Sequence, residues 1–93
     1  METEEIFQLG IVGFERLVDL EPRMKKYRQT IFSPLSVNFE RGLKSQEQIH
    51  VITKELDEIL MFLSPHFLLE STHQVLEFLI RVYELVIDSL FIF

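Results

Sequence analysis

The chain has 93 residues, no cysteine and a formal net charge of -6. A chain of this length builds one modest core, so we expect a single domain over residues 1–93 with no separate catalytic domain. Its 47% hydrophobic and 26% charged residues are typical of a globular protein. The lack of cysteine excludes disulfides and thiolate metal sites. The acidic balance excludes general adhesion to nucleic acid, which would need a local basic patch.

A first helix is predicted from about Thr3 to Leu20, with Thr3 as its N-cap. Gly10 and Gly13 interrupt it, and each costs about 1 kcal/mol relative to alanine. Either they permit the close approach of another helix, or this helix is intrinsically weak. Its apolar stripe consists of Phe7, Ile11, Phe14, Leu17 and Val18.

A second helix is predicted over about Glu21 to Phe32, because Pro22 suits the first helical position. This segment carries the main basic cluster of the sequence, which consists of Arg23, Lys25, Lys26 and Arg28. The cluster could contact RNA phosphates or an acidic partner segment. It could equally be the solvated face of a short helix. Residues 36–43 show no clear period and predict a short turn followed by a loop.

A third helix is predicted from about Gln46 to Leu63, opened by a capping box at Ser45 to Gln48 and ended by Ser64-Pro65. A second capping box, Ser71 to Gln74, predicts the start of the last helix. The expected core stripe of that helix is Val75, Leu76, Leu79, Val82, Tyr83, Val86 and Leu90. The whole pattern predicts an all-α fold of helical hairpins joined by short loops.

The last helix carries more apolar residues than a core stripe needs, including Leu85, Ile87 and residues 91–93. Several exposed side chains of this kind are unusual. We therefore expect that the chain continues in the intact protein or that a partner covers this face. Its four charged residues gather on one helix face, which argues against a membrane span.

No nucleophile elbow, phosphate loop or zinc-protease motif occurs in the sequence. His66, Glu70 and His73 have a spacing that could converge on zinc within one helix, but Pro65 and the expected cap at Ser71 break the helix between them. We predict a non-enzymatic protein that needs no metal and no cofactor.

Several segments, taken in order, resemble the N-terminal region of the family of HEAT-repeat-containing protein 1. The similar segments include GFERL at residues 13–17, RGLKSQE at 41–47, FLSPHFLL at 62–69 and LEFLIR at 76–81. Shorter matches lie at residues 20–22, 31–33 and 56–58, so the resemblance covers roughly residues 6–83. Phe78 departs from the family, which usually has tryptophan at that position.

The resemblance implies the start of a HEAT-like α-solenoid in the nucleolus. The family is the large HEAT-repeat subunit of the small-subunit processome, which acts in pre-ribosomal RNA transcription and in maturation of the small-subunit RNA. The resemblance further implies a nuclear scaffold that docks the helical tail of a WD-repeat subunit, with other processome proteins as partners and pre-ribosomal RNA contacted at most indirectly.

Our leading hypothesis is therefore a protein-docking module whose contacts are made by the last helix. The residues expected to bind the partner are Phe78, Arg81, Tyr83, Val86 and Leu90. Two alternatives stay open at this point. One is local RNA binding through the basic cluster, and the other is an unrelated helical adaptor that dimerises through its C-terminal helix.

Overall fold

The computed structural model describes residues 2–33 and 46–90, and in the first of these ranges it describes side chains from residue 4 onward. In these ranges, three α-helices, α1 (Glu2–Leu20), α2 (Gln46–Leu63) and α3 (Glu70–Leu90), alternate with two 3₁₀ helices, Pro22–Tyr27 and Ser64–His66. Within these two ranges the chain contains no strand. The predicted all-α fold is confirmed.

Helix α1 packs closely against α3, and its glycines make this possible. A Cβ atom built on Gly10 would lie 2.4 Å from the Cβ of Phe78, and one built on Gly13 would lie 2.7 Å from the carbonyl oxygen of Ser71. Because the higher-numbered glycine meets the lower-numbered α3 residue, the two helices run antiparallel. The glycines therefore serve close approach, which decides between the two interpretations of the sequence.

A chain of aromatic contacts joins the elements of the core. Phe14 stacks on Phe32 with ring centroids 4.1 Å apart, and Phe32 stacks on Phe78 at 4.8 Å. Phe7 meets the Phe78 ring edge-on at 4.9 Å. Such offset and edge contacts add to the free energy gained from burial alone. Phe78 is therefore the point where α1, α3 and the segment after the first 3₁₀ helix meet.

The second predicted helix is wrong in type and length. The chain forms a 3₁₀ helix over Pro22–Tyr27, and turns continue from there to Ser33. A 3₁₀ helix places residues three apart on one face. Met24 and Tyr27 both reach the core in this way, while Ile31 and Phe32 follow as buried turn residues.

The helix ends differ from the predictions in two places. Helix α1 already begins at Glu2, so Thr3 lies inside it and is not its N-cap. Helix α3 begins at Glu70, which places Ser71 inside the helix, and the buried Gln74 Oε1 accepts no hydrogen bond from the described residues. The expected capping box is therefore absent. Instead, the hydroxyl of the buried Thr72 donates to the His66 carbonyl at 2.5 Å.

Helix α2 has the predicted bounds, and its Ile49, Ile52, Leu56, Ile59 and Leu63 are buried. The predicted cap at Ser45, the turn over residues 36–43 and the apolar residues 91–93 lie outside the described residues. In α3 the core stripe is confirmed at Val75, Leu79, Val82 and Val86, whereas Leu76 and Tyr83 are only half-buried. The stripe is wrong at Leu90, which is 55% exposed.

Candidate protein-docking surface

Helix α3 is apolar on two sides, and only one of them faces the core. The side turned away from α1 carries a second apolar row at positions i, i+4, i+7, i+11 and i+14, which one helix face can hold over about four turns. Ile80 is 56% exposed, Ile87 50% and Leu90 55%, while Leu76 and Tyr83 are half-buried between them. We call this row the outer stripe; its members are Leu76, Ile80, Tyr83, Ile87 and Leu90.

The five residues predicted to bind a partner do not lie on one surface. Phe78 is fully buried and Val86 almost so, because α1 and the core cover their side of α3. Neither side chain is accessible in this arrangement of the helices, so their inclusion in a docking surface has no support here and stays a prediction. Tyr83 and Leu90 belong to the outer stripe, and a role for them and for Arg81 in partner binding stays a prediction.

Sequence reasoning missed Leu76 and Ile80, and it named Ile87 only as part of an apolar surplus. The i, i+4, i+7 spacing from Leu76 through Ile80 to Tyr83 was a signal that could have found them. The pattern is ambiguous because Leu76 and Tyr83 also fit the spacing of the core stripe. Only the position of α1 shows that the two rows of α3 face different ways.

Tyr83 connects the outer stripe to α2. Its hydroxyl donates to Asp57 Oδ1 at 3.0 Å, and the bond joins residues 26 positions apart in the chain. Partial burial, as the larger cause, and this hydrogen bond to a carboxylate raise the pKa of Tyr83 above its ordinary value. The Tyr83 ring is therefore held against α2, which gives the outer stripe a fixed neighbour.

Acidic side chains follow one flank of the outer stripe. Glu77 and Glu84 each precede an exposed isoleucine by three residues, so each lies beside that isoleucine on the helix surface. Asp88 continues the flank, and all three are exposed. Arg81 is the one basic residue of the flank apart from a histidine, and its Nη1 donates to Glu84 at 2.9 Å. The flank therefore has a negative net charge.

The basic cluster is largely engaged in ion pairs. Arg28 donates to both carboxylate oxygens of Glu15 at 2.9 and 2.8 Å, and Arg23 donates to Glu21 at 2.7 Å. These hydrogen bonds lower the pKa of both carboxyl groups. Lys25 is the member of the cluster that forms no ion pair within the described parts of the chain.

The remaining cation of the cluster, Lys26, lies beside a cavity of about 370 Å³ between the first 3₁₀ helix and α2. Its ammonium group lies 3.0 Å from Glu58, and the same carboxylate accepts the Tyr27 hydroxyl at 2.6 Å. Burial and this hydrogen bond raise the pKa of Tyr27 to about 12. Thr30 donates to Glu55, which also lines the cavity. Because these groups bind each other, they do not converge on a ligand.

The described residues offer no metal site, since no three histidine, aspartate or glutamate side chains among them lie close enough to hold an ion. His66 ends the second 3₁₀ helix and His73 lies in α3, so the helix is broken between them as predicted. His73 Nε2 lies 2.8 Å from the Phe67 carbonyl, and the His66 carbonyl accepts from Thr72. In the described parts of the chain, no helix is long and apolar enough to cross a membrane.

Comparison with known proteins identifies relatives over nearly the whole chain. U3 small nucleolar RNA-associated protein 10 of Schizosaccharomyces pombe is 34% identical over 92 residues, which are 96% of this chain and 6% of that protein. The HEAT repeat-containing protein 1 homolog of Dictyostelium discoideum is 34% identical over 93 residues, 97% of this chain and 4% of that protein. Both proteins are homologues of this chain over most of its length.

Human HEAT repeat-containing protein 1 is a further homologue, 31% identical over 85 residues, which are 87% of this chain and 4% of that protein. The predicted resemblance to the HEAT-repeat-containing protein 1 family is thus confirmed, and with it the HEAT-like character of the fold. The chain spans only about one-twentieth of the length of these relatives. Neither a protein-family model nor a solved structure matches it.

Proposed function

We propose that the chain is a non-enzymatic docking module of a HEAT-repeat scaffold that acts in ribosome biogenesis. The observation that carries this proposal is the outer stripe, an apolar row left exposed on a helix of a chain with homologues among these proteins. An amphipathic helix is the ligand that such a row fits, since its side chains at i, i+3/i+4 and i+7 can interdigitate with it. Exposed apolar rows on stable domains commonly mark binding sites.

The finer parts of the proposal derive from the family. The names of several relatives include the U3 small nucleolar RNA, so we place this chain in the nucleolus as part of the small-subunit processome, acting during pre-ribosomal RNA transcription and maturation. The proposed partner is the helical tail of a WD-repeat subunit, and other processome proteins complete the surroundings. Pre-ribosomal RNA is contacted indirectly, through those proteins.

A replacement experiment tests this function. In Schizosaccharomyces pombe, the matched segment of U3 small nucleolar RNA-associated protein 10 would be exchanged for this chain, and the tagged chimera purified. We expect the U3 RNA and processome proteins to co-purify at the level of the unaltered protein. A chimera that is present at normal amounts but recovers neither would overturn the proposal. A chimera lacking the segment altogether measures the background.

RNA binding through the basic cluster receives no support from the geometry. Three of its four cations are paired with Glu15, Glu21 and Glu58, and the chain as a whole carries a net charge of -6. Dimerisation through the last helix is one of the outcomes that the experiments below would detect.

A further inference from the structure

We propose that the outer stripe binds a partner helix with basic flanks, and this inference rests on the docking function proposed above. The stripe extends over 14 residue steps, or about 21 Å of helix. A partner helix of similar length could therefore lie along it. What distinguishes one such helix from another is the charge beside its apolar row.

The charges of α3 select for a basic partner. The helix carries the carboxylates Glu70, Glu77, Glu84 and Asp88 against the single guanidinium of Arg81, which is already bound to Glu84. Glu77 and Glu84 are spaced seven residues apart, as are Ile80 and Ile87. Over every two helical turns, the stripe therefore offers one exposed isoleucine with a carboxylate next to it. A helix with lysine or arginine beside its apolar row satisfies both.

The α2 side of the stripe agrees with this charge pattern. Asp57, the acceptor for Tyr83, is an exposed carboxylate on that side. The lysine and the histidine in the middle of α2, Lys54 and His50, line the cavity against the first 3₁₀ helix together with Tyr27. His50 and Lys54 are seven and three residues from Asp57 on the same helix, and among these charged residues of α2 it is Asp57 that bonds to a member of the stripe.

The same charges disfavour the other possible occupants of the stripe. Two copies of the chain paired through α3 would bring like-charged flanks together, which costs free energy. A nucleic acid or an anionic membrane surface would meet carboxylates instead of cations. A basic helix is the ligand for which the flank contributes attraction and also faster association.

Selection from a peptide library tests the inference. The library would consist of helical peptides of about 18 residues, with a fixed apolar row at i, i+3/i+4 and i+7 and with flank positions randomised among lysine, glutamine and glutamate. The 93-residue chain would be the bait, and sequencing would give the enrichment at each flank position. We expect lysine to be enriched over glutamate by about tenfold at low salt, and less at high salt.

Matched variants locate the binding surface. The double variant Ile80→Ser/Ile87→Ser should abolish enrichment, whereas Leu9→Ser/Val12→Ser, which alters similarly exposed residues of α1 (48% and 46%), should preserve it. The charge reversal Glu77→Lys/Asp88→Lys should lower the preference for lysine at least about threefold. Circular dichroism of each variant checks that it is folded.

Four results would overturn the inference. They are the absence of any enrichment, flanks that enrich glutamate or show no preference, loss of binding in the α1 variant but not the α3 variant, and a dimer in light scattering that Ile80→Ser/Ile87→Ser dissolves. The replacement experiment fails or succeeds independently. If the chimera recovers the U3 RNA while the library shows no basic preference, only the present inference is wrong. If the library shows a basic preference while the chimera recovers no U3 RNA, the binding surface is correct and the proposed cellular role is wrong.

Discussion

At the scale of single residues, Gly10 sets the distance between α1 and α3. A methyl group at this position would lie 2.4 Å from the Cβ of Phe78, whose ring is held between Phe7 and Phe32. We expect Gly10→Ala to lower the free energy of unfolding. Overpacking of this kind costs about 1–3 kcal/mol, while the alanine gains at most about 1 kcal/mol of helix propensity. Urea denaturation followed by circular dichroism measures the difference.

Gln8→Ala is the control for this prediction, because Gln8 is exposed on the same helix. Its free energy of unfolding should lie within about 0.5 kcal/mol of the unaltered chain. If Gly10→Ala instead proves more stable than both, α1 and α3 are farther apart than the structure shows.

The Tyr27 hydroxyl makes stability depend on pH through Glu58. Its hydrogen bond, together with that of Lys26, lowers the pKa of Glu58 below its ordinary value of 4.5. A lowered carboxyl pKa adds stability above the ordinary value, and that contribution is lost as pH falls through the lowered pKa. Tyr27→Phe should therefore be less stable than the unaltered chain near neutral pH, and the difference should shrink in acid. Urea midpoints at about pH 7 and about pH 3 test this.

Tyr83→Phe is the matched control, since it also removes a hydroxyl bonded to an α2 carboxylate, but through a longer, exposed bond of 3.0 Å. Its pH-dependent loss should be the smaller of the two. An equal loss in both variants would mean that the Tyr27–Glu58 bond has no special weight. In alkali the contribution of Tyr27 runs the other way: it is lost as pH rises through about 12, the raised pKa of its phenol.

At the scale of elements, the sequence predicts α2 closely and the segment before it poorly. The bounds of α2 follow from one uninterrupted apolar stripe and from the Ser64-Pro65 stop, which are both local signals. Residues 22–32 have no such stripe. Their conformation depends on bringing Met24, Tyr27, Ile31 and Phe32 into a core that other helices form, so local propensity could not give it.

Helix α3 shows why the exposed side that forms the candidate surface could not be predicted from the sequence. Apolar residues occupy most of its circumference, and the pattern alone does not say which of them a neighbouring helix covers. Gly10 and Gly13 lie more than fifty positions away, yet they bring α1 onto the Phe78 side and leave the Ile80 side open. The candidate surface is therefore decided by long-range packing.

A pair of substitutions two positions apart distinguishes the two sides of α3. Phe78→Ala removes a fully buried ring and should cost about 3–5 kcal/mol of unfolding free energy, enough to unfold much of so small a domain. Ile80→Ala removes a half-exposed side chain and should cost less than about 1 kcal/mol. Thermal and urea unfolding give both values. Similar losses in the two variants would contradict the orientation of α3.

At the scale of the whole molecule, the acidic residues of α3 and the basic cluster have different surroundings. The carboxylates beside the outer stripe are exposed, whereas three of the four cations of the basic cluster are held by carboxylate partners. An acidic molecule with paired cations is suited to bind basic protein segments. It is poorly suited to release counterions from a phosphate backbone.

The intact chain should therefore bind RNA weakly. Non-specific nucleic-acid binders have dissociation constants of about 10⁻⁴–10⁻⁶ M at physiological salt. We expect this chain to fall at or beyond the weak end of that range for a structured pre-ribosomal RNA fragment in fluorescence anisotropy. Glu15→Gln/Glu58→Gln, which frees Arg28 and Lys26 from their carboxylate partners, should strengthen binding and steepen its dependence on salt. Tight binding by the unaltered chain that Lys25→Glu abolishes would instead show that the basic cluster is an RNA site, and that its ion pairs open on contact.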